Sequence, residues 1–116
     1  MVGLLVATIA ILTSVLLVES SRRANQRFYD AKQLPMQWSF DGTVNALAPR
    51  RFVLGFMPAL ATSVLVAMVV LAWVVPPRSG QEGDVIPAVF FMAAIFVGIH
   101  TWHLRMIDRW FNALKK

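Results

Sequence analysis

The 116-residue chain has no cysteine. That excludes disulfides, thiolate metal sites and a cysteine nucleophile. It has only two histidines and six carboxylates, against eleven lysines and arginines. Three stretches lack charge altogether: 2–18, 52–75 and 85–104. Proton- and ion-coupled transporters usually keep an ionisable group at membrane depth, so this absence argues against a transporter built from this chain alone. Ser-His-Asp sets, phosphate loops and metalloprotease signatures are also missing, as are sequence repeats and low-complexity tracts. The chain reads as non-catalytic.

What is present is apolar. Hydrophobic residues make up 58% of the chain and charged residues 15%. A soluble domain of this length has too little interior for so much apolar side chain. The apolar residues come in long blocks, which is the membrane signature. The expected fold is therefore an all-α integral membrane protein: one domain over 1–116, with spans at about 2–18, 52–75 and 85–104. The net charge of +5 flanks the spans, where orientation and anionic lipid explain it; no nucleic-acid motif accompanies it.

The 52–75 run is the longest. At about 1.5 Å per residue it makes a helix of about 36 Å, enough to cross a hydrocarbon core of about 30 Å with tilt. Gly55, Ala59, Ser63 and Ala67 recur at every fourth position in it. Such a stripe of small side chains lets another backbone approach closely. This span is expected to be the hub against which the other two pack, with Gly3, Ala7, Ala10 and Ser14 of the first span facing the stripe. Ala94 and Gly98 give the third span a small face as well. Pro58 is expected to bend the hub mildly or to mark its true start.

The first run competes with a signal peptide, but nothing basic precedes it and 18–21 makes a poor cleavage site, which favours a retained helix. Residues 19–33 continue that helix beyond the membrane. Glu19 is spaced to pair with Arg22 or Arg23, and Ala24, Phe28 and Ala31 form a thin apolar edge. Arg22, Arg23, Arg27 and Lys32 read as flanks that fix orientation, with a lipid- or protein-binding patch as the alternative. The second loop opens with Pro76-Pro77, which ends the hub; Asp84 is placed to cap the third helix, with Pro87 in its first turn. That helix runs on through 105–116 with Leu104, Ile107, Phe111 and Leu114 on one stripe. Trp102 and Trp110 read as interfacial anchors.

Pro35 ends the first helix, and the alternation Met36, Trp38, Phe40 followed by Asp41-Gly42 and Thr43-Val44 predicts a small hairpin or a tight extended turn. Pro49 suits the first turn of the hub, with Arg50 and Arg51 at the membrane boundary. The loop also resembles a known pattern. In the loop that begins Leu34-Pro35, the residues Pro35, Trp38, Gly42 and Asn45 fit the Pro-x-His-Trp/Phe-Asn-x-x-Gly-x-Pro-Asp/Asn loop of a bacterial membrane-domain family of unknown function. That domain forms the N-terminal part of SdpI-type toxin-immunity proteins. Gln37 stands where His is usual, Ser39 where Asn is usual and Val44 where Pro is usual. The resemblance covers 2–75 and implies a small bacterial inner-membrane protein, in some relatives an immunity or signalling protein, and not an enzyme.

Counting Lys and Arg puts six in the first loop, one in the second and four in the tail. The basic side is cytoplasmic, so the expectation is an N-terminus outside and a C-terminus inside. His100 and His103 share one helix face. They are candidates for a metal or haem site, although no carboxylate or thiol in a span completes one; a hydrogen-bonded cluster without a cofactor is the plainer reading. Three function classes stay open: an SdpI-like interaction protein of immunity, sensor or assembly type; a structural subunit of a larger membrane complex; and a redox protein using the two histidines. The expected partners are the bilayer and a membrane protein or further copies of the chain.

Overall fold

The computed structural model describes residues 2–39, 41, 43–75 and 83–114. Helix α1 spans Val2–Arg27, strands β1 and β2 span Gln33–Trp38 and Val44–Pro49, α2 spans Arg50–Val74 and α3 spans Val85–Leu114. All three helices are long and apolar enough to cross a membrane. The chain is thus an all-α three-span protein with a hairpin between the first two spans.

Helix α1 continues past its long apolar run, with no Gly or Pro to stop it, but it ends at Arg27 rather than running on to 33 as expected. Residues 28–30 form a turn, and the Tyr29 and Ala31 carbonyls go to the Arg50 guanidinium instead of to a further helical turn. Glu19 binds Arg22 through both carboxylate oxygens, at 2.6 and 2.9 Å, and Arg23 at 3.3 Å. Helix α2 starts at Arg50 rather than inside the apolar run. Pro49, with an extended ψ of 140°, closes the strand and sits at the cap position. The helix passes through Pro58 from Arg50 to Val74 and stops before the double proline, which lies with the rest of 76–82 outside the described residues. The Asp84 carbonyl accepts the Ala88 amide at 3.1 Å, which opens α3 where the sequence placed its cap.

The core is three layers along the bundle, and each draws on all three helices. Val6, Ala10, Leu65 and Val89 make the first. Leu17, Ala61 and Phe96 make the second. The third is the largest: Ala24, Phe28, Leu34, Val53, Leu54, Ile107 and Phe111. The edge Ala24–Phe28–Ala31 therefore packs under the hairpin, against the ends of α2 and α3. Phe28 meets Phe111 edge to face at 5.1 Å.

The packing overturns the hub assignment in two ways. First, α1 lies in the middle: it packs along α2 and along α3, while α2 and α3 touch each other least. Second, the face that α2 turns inward is Leu54, Pro58, Ala61 and Leu65. Gly55, Ala59, Ser63 and Ala67 are all exposed, and a Cβ built on Gly55 would meet nothing within 4 Å. Ala94 and Gly98 of α3 point outward as well. The small residues of α1 do face α2, but they meet its other side. Ser14 accepts the Thr62 hydroxyl at 3.1 Å, and a Cβ on Gly3 would strike the Trp73 indole at 2.7 Å. The physical reason is volume. Between close-packed helices, Leu54 and Leu65 fill the space, and only Ala61, opposite Phe96 and Leu17, has to be small.

Candidate functional site

The hairpin is built on its base. Gln33 pairs with Pro49, Leu34 with Ala48 and Pro35 with Leu47; the ladder then bulges at Met36 and again at Asn45 before Trp38 meets Val44. Bulges tolerate a proline in a two-stranded ribbon and turn the strand. The Ser39 amide donates to the Thr43 carbonyl at 2.8 Å and closes the tip. Asp41 accepts the Thr43 amide at 3.0 Å and its hydroxyl at 2.6 Å. These bonds, the hydroxyl first, hold the Asp41 carboxyl below the usual carboxylate range.

A lone hairpin is marginal, so something must hold this one down. Leu34 is buried in the third core layer, and its neighbour Pro35 is fully buried too. Arg50 supplies the other anchor. Its backbone amide bonds the Lys32 carbonyl at 3.0 Å, and its guanidinium donates to Asn25 Oδ1 at 2.7 Å, to the Tyr29 carbonyl and to the Ala31 carbonyl at 2.8 Å. It also lies over the Tyr29 ring, 4.7 Å from the centroid. Arg50 is therefore a clamp at the end of α1, in addition to any part it plays in orientation. Arg51 is exposed.

Under the hairpin lie the two histidines. His100 is 1% exposed, and its Nε2 shares a 2.9 Å hydrogen bond with the buried Ser21 hydroxyl of α1. His103 is half-buried. The Trp38 ring meets it edge-on at 5.3 Å and 90°. His100 Nδ1 and His103 Nε2 are enclosed and meet no hydrogen-bond partner among the described residues. No group of three or more His, Cys, Asp or Glu that could hold a metal occurs among them either.

The loop residues divide accordingly. Leu34, Pro35 and Trp38 face the bundle. Gln37 and Asn45 are exposed, and Asn45 Oδ1 accepts the Ser39 hydroxyl at 2.5 Å. Gly42 lies outside the described residues. Trp110 packs on the third core layer, whereas Trp102 is exposed. Leu114 is exposed too, so the tail stripe is buried only at Ile107 and Phe111 and half-buried at Leu104.

Sequence reasoning missed Ser21, Asn25 and Asp108. Ser21 had a signal: it continues the Ala24–Phe28 edge one turn toward Leu17, at helical spacing. The pairing of Arg27 Nε with Asp108 Oδ1 at 2.5 Å had none, because it joins the far ends of α1 and α3.

No family model matches the chain, and no curated protein or solved structure is significantly similar to it.

Proposed function

We propose that the chain is a non-catalytic interaction protein of a bacterial inner membrane, of the SdpI-like immunity, sensor or assembly type. It would dock a helix of a membrane-embedded partner on the outward face of α2. The observation that carries this reading is the exposed row Gly55, Ala59, Ser63 and Ala67. In lipid, helix association rests on close packing rather than on burial from water, and small residues are what permits it. The Ser63 hydroxyl is already bonded to the Ala59 carbonyl at 2.8 Å, so the row presents a smooth surface with no unmet polar group at that position. The hairpin supports the same reading through its loop residues. The lysine and arginine asymmetry supports a cytoplasmic hairpin and C-terminus.

The test is in-membrane crosslinking from cysteines at positions 59 and 63, followed by purification in mild detergent. A specific adduct with another membrane protein is the expected result, and the one formed from position 59 should be abolished by Ser63→Leu. Adducts with a second copy alone make the chain a homo-oligomer. Recovery in one stoichiometric assembly makes it a structural subunit. No adduct of any kind sinks the reading. A reporter fused at the C-terminus should be active in the cytoplasm only.

A second reading comes from the two unpartnered ring nitrogens, His100 Nδ1 and His103 Nε2. Each could ligate a transition metal or a haem iron. A structural metal site wants three or four ligands, and the described residues offer the pair alone. Visible haem absorbance or bound metal in the purified protein, lost on His100→Ala with His103→Ala, would establish it.

A further inference from the structure

Arg23 and Arg27 of α1 and Arg105 and Asp108 of α3 line an open groove of about 310 Å³. Its floor is apolar, made of Ala24, Phe28 and Leu104. Three guanidinium groups thus face one carboxylate. Asp108 is taken by Arg27 at 2.5 Å. Glu19, the other acid nearby, is bound bidentately by Arg22, and Arg23 reaches it only at 3.3 Å. Arg105 has no partner among the described residues. The groove therefore keeps net positive charge, with Thr101 adding a hydroxyl at its rim.

Its level in the bundle matters as much as its charge. On α1 the uncharged run ends at residue 18, and on α3 it ends at residue 104. The two helices run parallel here, since Ser21 bonds His100 and Arg27 pairs with Asp108. The α1 run thus stops just before the groove and the α3 run stops within it, at Leu104, so the groove sits where lipid phosphates lie when the spans cross a bilayer. Planar guanidinium forks suit phosphate oxygens, and the apolar floor suits the upper part of an acyl chain.

We infer that the groove between α1 and α3 is a binding site for the phosphate headgroup of an anionic lipid. Arg23 and Arg105 grip the phosphate. Arg27, held by Asp108, shapes the wall. A zwitterionic lipid carries the same phosphate with a choline charge beside it, which the arginines repel.

Native mass spectrometry of the full chain in detergent tests this with phosphatidylglycerol, phosphatidylcholine and inorganic phosphate as probes. Phosphatidylglycerol should bind and phosphatidylcholine should not. Arg23→Gln and Arg105→Gln should each weaken binding by about fivefold, the effect of about 1 kcal/mol per basic residue near an anionic surface. Arg109→Gln, exposed on α3 outside the groove, should leave it unchanged. A photoactivatable phosphatidylglycerol should label segments 20–28 and 101–108 of the unmodified chain, a readout independent of whether the variants fold. Equal binding of phosphatidylcholine, equal loss in Arg109→Gln, or labelling confined to other segments overturns the inference. Full displacement of the lipid by millimolar inorganic phosphate overturns it in favour of a free-phosphate site.

Discussion

Ser21 and His100, 79 residues apart, share a 2.9 Å hydrogen bond between hydroxyl and Nε2 inside the bundle. Both side chains are buried, and the bond fastens α1 to α3 beneath the hairpin. In one imidazole tautomer the Ser21 hydroxyl donates; in the other, Nε2–H does. Ser21→Ala leaves the ring without its partner in a site closed to water. The expected loss of detergent stability is about 1 kcal/mol, in the range of interhelical hydrogen bonds in membrane bundles. Ser21→Thr should retain most of it. The check is thermal unfolding followed by circular dichroism, and equal stability of the alanine and parent chains would deny the bond a structural role.

Ala61 and Ala59 separate the inward face of α2 from the outward one. Ala61 is fully buried against Leu17 and Phe96, while Ala59 is exposed. Ala61→Leu should cost about 1–3 kcal/mol by overpacking. Ala59→Leu should stay within about 0.5 kcal/mol of the parent in the isolated chain. The reverse order of the two melting temperatures would mean that α2 is rotated from the orientation described above.

Arg50 holds three acceptors that a lysine cannot span, because its ammonium is a point charge on a flexible stem. Arg50→Lys should lower stability by about 1–2 kcal/mol, the scale of a charged hydrogen bond in a half-exposed setting. It should also raise protease cleavage in 33–49, where the hairpin would lift. Arg51→Lys, on the exposed neighbour, is the control and should do neither.

Asp41 makes the hairpin tip sensitive to acid. Its carboxyl is held below the usual range by the Thr43 hydroxyl and amide. A lowered folded-state value means that the stabilisation is complete above the unfolded carboxylate range and is lost as pH falls through the lowered value. Amide exchange at Thr43 should therefore accelerate in acid, while exchange in α2 stays slow. Asp41→Asn should exchange at one pH-corrected rate throughout.

Much of this architecture was legible from local composition. Length and the absence of charge set the three spans, because a bilayer core has a fixed thickness and helices are the simplest way for a chain to satisfy its own backbone there. The lack of any breaker in 19–33 announced that α1 outruns its apolar stretch, though not that it stops at Arg27. Pro35, the alternation after it and Asp41-Gly42 announced the hairpin. In each case the cause lies within a few residues of its effect.

What only the tertiary structure decided is which way each helix faces. In water an apolar stripe points inward, but α2 is apolar all round and its periodicity gives no direction. The regular small-residue row looked like the inner face and is the outer one; Leu54, Pro58, Ala61 and Leu65 fill the interior instead. The same holds for the contacts that lock the bundle. Ser21 with His100, Arg27 with Asp108 and Arg50 with Asn25 join residues on different helices, and no local spacing encodes such a pairing. They exist because the layers of apolar packing bring those helix ends together, and the few polar side chains there must then satisfy one another.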